Sequence, residues 1–312
     1  MSTHIFLKKT LRLIISMLLF TFILYGLLYL STGDPALSVL RKLGVQTLSP
    51  EVIIETRTKL GIEGNFFDQY VHWLLNTLRG DLGHSFINNL PVKTLLLEKF
   101  FVTFRLMSSS FILCIVLSLL IGGVIGNSSS YQWTKQIFSI LLSFPIYWLA
   151  ILAIFIFGVQ LNWLPFVGSR SIRHFILPVL VISFAEGSYL TKMVSDLVAT
   201  VAKSERQVLA KFRGIKWYYR YYYQLNELFV ALISLYGTSL VHLFGSCVMI
   251  EIIFSISGFG KLLMDAISTR DYPVIQGITL VVACGTFILN YLIDLAIQKV
   301  DSRVVINQGG KE

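Results

Sequence analysis

Six stretches of this chain are each long and apolar enough to cross a lipid bilayer, and no other feature narrows its fold as far. They cover residues 11–30, 101–126, 137–157, 176–197, 228–254 and 273–297, and a spanning helix needs about 20 mostly apolar residues. Glu186 and Lys192 interrupt the fourth. Hydrocarbon offers no water to the backbone, so segments of this length must satisfy their own hydrogen bonds as helices. Composition agrees, with 55% hydrophobic and 14% charged residues among 312, where soluble domains carry about 45–50% and about 25%. The expected fold class is an all-α integral membrane protein of about six transmembrane helices. The first apolar run exceeds the roughly 7–15 residues of a signal-peptide core, and no small-residue cleavage site follows it. We therefore expect it to be retained as a span.

Lysine and arginine set the orientation, because short loops rich in them stay in the cytoplasm. Placing the N-terminus inside gives the cytoplasmic pieces 14 basic residues. The two short outer loops then hold 4, namely Arg170, Arg173, Lys261 and Arg270. An N-in, C-in topology follows as the expectation, and the net charge of +9 is mostly its by-product. No nucleic-acid partner is expected, because the one basic and aromatic stretch, 203–223, lies between two spans.

The chain then divides into a cytoplasmic N-terminus with the first span (1–30), a large extracytoplasmic segment (31–100), a five-helix transmembrane core (101–300) and a cytoplasmic tail (301–312). The extracytoplasmic segment is too long for an idle loop. Ser49-Pro50-Glu51 reads as a helix cap with proline in the first turn, opening a helix over 51–60. A second helix over 66–78 places Phe67, Tyr70, Val71, Leu74 and Leu78 on one face. Such a segment forms either a scoop over the mouth of the membrane domain or an interfacial helix without a ligand role.

Catalytic chemistry is hard to find. The five histidines, His4, His72, His84, His174 and His242, are scattered singly, and no metal-binding spacing joins them to cysteine. Cys114, Cys247 and Cys284 fall inside spans and read as small apolar packing residues. Gly258-Phe259-Gly260-Lys261 superficially suggests a phosphate loop, but Ser255 stands where its first glycine belongs and Leu262 where Ser/Thr should follow. We expect no cofactor, no metal site and no ATPase site in this chain. Ionisable groups within spans are functional candidates: Glu186 is a candidate pathway residue, whereas Glu251 and Asp294 lie near span ends where solvent can reach them, as Glu227 does. No internal repeat supports an inverted-repeat carrier. Glu186, Glu251 and Asp294 keep an ion-coupled secondary transporter as the alternative function.

The stretch 203–223, KSERQVLAKFRGIKWYYRYYY, reads as a helix–glycine–helix element. Ser204 can cap a helix opening at Glu205, Val208, Leu209 and Phe212 are apolar among charges, and Gly214 lets the chain turn. It suits a knob docking in another protein's groove, and equally a helix lying on anionic lipid.

Residues 245–280, GSCVMIEIIFSISGFGKLLMDAISTRDYPVIQGITL, carry a family resemblance. Glu251, Phe254, Gly258, Gly260, Leu262, Ala266, Arg270, Asp271, Tyr272, Pro273, Val274, Gln276 and Gly277 fall in register with an E-x-x-F-x-x-x-G-x-G-x-L-x-x-x-A-x-x-x-R-D-Y-P-V-x-Q-G run. Further matches are Gly33-Asp34-Pro35, Gln69-Tyr70 with Trp73, Arg79-Gly80-Asp81-Leu82-Gly83 with Ser85, and Asn162-Trp163-Leu164-Pro165. Across almost its whole length the chain resembles the dipeptide/oligopeptide/nickel class of ABC-importer permeases.

That resemblance implies the ABC type I importer permease fold in a bacterial cytoplasmic membrane. It implies partners as well: a second homologous permease subunit, two cytoplasmic ATPase subunits that use ATP, and an extracytoplasmic substrate-binding lipoprotein or periplasmic protein. The substrate class implied is peptides or a chelated metal such as nickel. A coupling helix with a signature resembling E-A-A-x-x-x-G inserts into the ATPase, and Gly214 and Ala210 match its Gly and Ala. The coupling residues implied here are Glu205, Leu209, Ala210, Phe212, Arg213 and Gly214. Those of the family motif near the outer mouth are Glu251, Phe254, Gly258, Gly260, Arg270, Asp271 and Pro273. The chain departs from the family after Gly214: Gln224-Leu225-Asn226-Glu227-Leu228 stand where His-Ala-Leu-Arg-Asn is usual, and Leu232 replaces a proline.

Overall fold

A computed structural model describes residues 3–30, 35–42, 49–60, 65–128 and 131–300. The expected Gly33-Asp34 match and the 301–312 tail lie outside the described residues. The elements in chain order are α1 (Thr3–Tyr29), α2 (Pro35–Lys42), α3 (Pro50–Leu60), α4 (Phe66–Leu78), α5 (Val92–Gly126), α6 (Tyr131–Leu141) and α7 (Ile146–Ala153), which runs on as a π-helical turn (Ile154–Gln160). They continue with α8 (Arg173–Ala202), α9 (Glu205–Phe212), α10 (Trp217–Glu227), α11 (Phe229–Ile253), α12 (Phe259–Thr269) and α13 (Tyr272–Val300). No strand occurs among the described residues.

Five of these helices, α1, α5, α8, α11 and α13, are long and apolar enough to span a membrane. The sixth expected span, 137–157, is not a straight helix. It is a pair, α6 and α7 with its π turn, bent by 80° and counting as a sixth span only when taken together. Pro145 explains the break: it has no N–H to continue α6 and sits extended (φ −63°, ψ 140°) as the residue capping α7. The second span begins earlier than the apolar pattern shows. Its 35 residues from Val92 measure roughly 50 Å, well beyond a hydrocarbon core of about 30 Å.

The chain forms two units. One comprises the described residues within 103–256 and 289–300. Within it α8 is the most enclosed helix, burying Phe175, Leu177, Val181, Ile182, Leu190, Val194 and Val198. Glycines allow α5 to lie close against it. A Cβ at Gly122 would sit 2.9 Å from the Thr191 carbonyl, and one at Gly126 would sit 2.7 Å from the Val198 Cβ and 2.8 Å from the Ser195 carbonyl. Gly122 and Gly126 are four apart, the small-xxx-small spacing that lets helices approach in lipid.

The other unit comprises residues up to 102 and 257–288. There α4 packs along α1 through an aromatic cluster of Phe22, Tyr25, Tyr29, Phe66, Tyr70 and Trp73. The covered face of α4 is therefore not the expected 67/70/71/74/78 stripe but Phe66, Gln69, Tyr70 and Trp73. Aromatic rings and two hydrogen bonds decide the choice: Tyr70 with Thr21 at 3.1 Å and Tyr25 donating to Gln69 at 3.2 Å. The cap of α3 is as expected, with the Val52 N–H donating to Ser49 Oγ at 3.4 Å.

The α5–α8 contact generates a test. Gly126→Val overpacks a joint whose neighbours include backbone, and should cost about 1–3 kcal/mol. A lowered Tm of the detergent-purified chain reads this out. Gly285→Ala, whose Cβ would meet nothing within 4 Å, should leave the Tm unchanged or slightly raised.

Candidate functional site

The helix expected over 205–212 is present as α9, and its ends show how the sequence shapes it. Ser204 holds the extended cap conformation (φ −64°, ψ 149°), but its hydroxyl makes no capping bond, against expectation. The Ser204 carbonyl accepts the Gln207 and Val208 N–H groups, while the hydroxyl is buried away from any partner among the described residues. At the other end Gly214 is left-handed, at φ 71°. The Ile215 N–H donates to Ala210 O and the Gly214 N–H to Lys211 O, both at 3.1 Å. This paired pattern is a Schellman cap, which needs a residue at positive φ. A Cβ at Gly214 would meet nothing within 4 Å, so conformation alone favours glycine there.

The cap turns α9 so that its apolar side chains stand free. Leu209 is 56% and Phe212 85% exposed. Glu205 and Arg213 are exposed, Ala210 is half-buried, and Gln207 faces inward.

α10 is fixed, by contrast. Gln224, buried, exchanges two hydrogen bonds with Asn127 at the end of α5, at 2.9 and 3.0 Å, and the Asn127 amide also donates to the Gly123 carbonyl at 3.0 Å. The Tyr221 hydroxyl donates to the Leu119 carbonyl, and its ring occupies the space where a Gly123 Cβ would stand, 2.4 Å away. Burial, and then neighbouring Tyr236, push the Tyr221 hydroxyl up to about 12, so it remains a donor at any physiological pH. Beyond it, Leu228 and Leu232 pack with Val194 and Val198 of α8. Leu232 also donates its N–H to the Leu228 carbonyl at 2.9 Å, a bond that proline could not make. The opposite side of α10 exposes Trp217, Tyr218, Tyr219, Tyr222 and Tyr223.

The family-motif residues fall in two places. Glu251 and Phe254 are both buried at the end of α11. Glu251 is thus enclosed by protein, not solvated at a span end as expected, because the chain folds back over it: the Ile256 N–H donates to the Glu251 carbonyl, and the Phe254 carbonyl accepts the Gly168 N–H. In the other unit, Gly258 caps α12 in an extended conformation and Gly260 is buried in its first turn. Arg270 ends α12 in the left-handed conformation (φ 57°), where a non-glycine residue is uncommon. Asp271 follows it, buried, accepting the Ser85 hydroxyl and, at 3.0 Å, the Phe86 N–H.

Pro273 lies beside Gly83, and Gly277 lets α13 approach Val92, Leu96 and Leu82. Two motifs quoted separately from the sequence, Arg79–Ser85 and Arg270–Gly277, thus form one hydrogen-bonded junction. The recess beside it, lined by Ser85, Asn88, Asp265, Thr269 and Asp271 among others, holds about 120 Å³. That is well below the roughly 300–1,000 Å³ of a ligand pocket, too little for a peptide.

Glu186 is half-buried on α8, with the Ser246 hydroxyl bonded to it and His242 within electrostatic reach, both on α11. Asp294 and Glu227 are exposed. The three cysteines are free, and no cluster of His, Cys, Asp or Glu suited to a metal occurs among the described residues. No sequence motif marks the contacts of Asn127, Tyr221 and Gln224 or the Ser85–Asp271 bond. Only the Gly122-x3-Gly126 spacing offered a readable signal of the α5–α8 joint.

Helices of membrane length, with a short helix displayed on a cap between two of them and a hydrogen-bonded loop junction, define a multi-pass membrane protein. The chain belongs to the family described as binding-protein-dependent transport system inner membrane component, which matches residues 101–306. The N-terminal component of the same systems matches residues 2–107. The chain is 29% identical over 308 residues to the nickel import system permease protein NikB of Staphylococcus aureus (strain USA300), covering 97% of this chain and 92% of that protein. It is 28% identical over 294 residues to the glutathione transport system permease protein GsiC of Salmonella choleraesuis (strain SC-B67), covering 93% and 94%. The chain is an inner permease of an ABC importer, located in the cytoplasmic membrane.

Two outcomes follow from this geometry. Asn127→Leu removes both partners of the buried Gln224 amide and should destabilise the chain by about 1–3 kcal/mol. Adding Gln224→Leu should recover most of that loss, because an apolar pair leaves no unsatisfied group. Thermal unfolding of the single and double variants in detergent measures both. Glu186→Gln keeps an acceptor for Ser246 but cannot titrate, so uptake should remain substantial in an ATP-driven permease. Abolished uptake with normal assembly would instead mark Glu186 as a proton or ion site.

Proposed function

We propose that this chain, with both termini in the cytoplasm, pairs with a second homologous permease to form the membrane pathway of an importer for peptides or a chelated metal such as nickel. An extracytoplasmic binding protein delivers the substrate and two separate ATPases drive transport. This chain contributes no nucleotide site of its own. The names of the relatives, a nickel permease and a glutathione permease, support the substrate range, since both cargoes are small and glutathione is itself a peptide.

One observation carries the coupling role: α9 holds Leu209 and Phe212 clear of the protein while α10, its continuation, is hydrogen-bonded to the end of α5. A helix that presents apolar anchors on a rigid mount is suited to a groove in another protein. It can also pass a displacement of that groove to a membrane span. Glu205, Ala210 and Arg213 complete the proposed docking face. The Arg270–Pro273 junction is proposed to hold the 79–91 loop in place on the extracytoplasmic side.

The test reads uptake and ATPase retention together. Phe212→Ala removes an anchor of a kind that commonly costs at least about 2 kcal/mol at an interface centre. Gly214→Val places a β-branched residue at positive φ, a strain of about 1–3 kcal/mol. Both variants should reach the membrane at normal level, lose uptake and release the ATPases on pull-down. Normal uptake with ATPases attached would show that α9 is not the coupling helix.

A further inference from the structure

α4 carries two apolar faces, and among the described residues protein covers one of them. Phe66, Gln69, Tyr70 and Trp73 lie on α1. Beside them round the helix run Phe67, Val71, Leu75 and Leu78, exposed by 60%, 50%, 48% and 74%. A narrow third sector holds Asp68, His72 and Asn76. A helix in an aqueous scoop would turn polar residues outward opposite its packed face. This one turns out mostly large apolar residues.

Its position along α1 says what covers them. Contacts run from Tyr29 back to Thr21, about 12 Å along the axis, and this stretch is the end of a membrane-length helix, Leu7–Tyr29. At the same level Leu19, Ile23 and Leu27 of α1 also expose apolar side chains. The uncovered stripe of α4 thus lies beside the lipid-facing surface of α1, not above it. The Tyr70–Thr21 and Tyr25–Gln69 hydrogen bonds are of the kind that hold helices together where apolar contact alone gives no preference over lipid.

We propose that α4 is an interfacial membrane helix: Phe67, Val71, Leu75 and Leu78 contact acyl chains of the leaflet at the C-terminal end of α1, while Asp68, His72 and Asn76 face headgroups and water. This placement stands independently of the coupling role proposed for α9.

Nitroxide labels can test it on the full chain, with Cys114, Cys247 and Cys284 replaced by alanine. The chain is reconstituted with its co-purifying subunits in phosphatidylcholine–phosphatidylglycerol liposomes. Power saturation should show a several-fold higher ratio of oxygen to chromium-oxalate accessibility at positions 67, 71 and 78 than at 68 and 72. Equal ratios, or chromium access along the stripe, would place α4 in water and overturn the proposal. Labels shielded from both reagents would show that another protein covers the stripe, which overturns it equally. Val71→Trp in the native-cysteine chain gives a second reading: added tryptophan quenching by lipids brominated on their acyl chains is expected, and none would count against the helix being in lipid.

Discussion

Lipid does not drive helices together as water does, so in a bilayer they associate through close packing and hydrogen bonds. In this chain α5 concentrates both. Within one unit its glycines at 122 and 126 admit α8 to near backbone contact, and Gly123 makes room for the Tyr221 ring. One turn further on, Asn127 takes the Gln224 amide. Within the other unit its first turns, through Val92 and Leu96, receive α13 at Gly277. At 122, 123 and 126 a larger side chain would displace a backbone or a ring, so this end of α5 is a rigid reference for α8 and α10.

The consequence for transport lies in how unequally the helix–glycine–helix element is held. α10 is tied to α5 by hydrogen bonds at two levels, Tyr221 and Gln224, and enters α11 through Leu228 and Leu232 packed on α8. α9 is held chiefly through its ends, by Gln207 on its inner side and by the Schellman turn at Gly214. Under the proposed function, a partner pulling on Leu209 and Phe212 would load α10 through that turn, and α10 has no freedom to absorb the load locally. The end of α5 and the start of α11 would move with it. The turn suits this task because its two backbone hydrogen bonds fix the angle between α9 and α10.

Much of this was legible from residues alone. The spans, the helix over 66–78, the helix opening at Glu205 and the glycine turn follow from periodicity, length and the positive φ that glycine supplies. What could not be read was partner choice. Phe67 and Phe66 are equally apolar, and only α1's aromatic residues decide that Phe66 packs inward. Asn127 and Gln224 lie 97 residues apart, and Ser85 and Asp271 lie 186 apart. No local pattern encodes such pairings. The third span is present as a bent pair, and its 80° break at Pro145 is hidden within a continuous apolar run. Burial of Glu251 was missed because a return of the chain at Ile256, not position along the helix, encloses it.

The departures from the family pattern after Gly214 gain a meaning from these contacts. Gln224, Leu228 and Leu232 stand where the family usually has histidine, asparagine and proline, and all three point inward, at Asn127 or into the α8 core. They come as a set: an amide at 224 is satisfied only with Asn127 opposite, and the N–H of Leu232 continues the helix across Leu228. Leu209 stands where the signature has alanine, but it points outward, as Phe212 does. Changes on the inner face adjust how α10 is mounted on α5 and α8. Changes on the outer face alter what can dock.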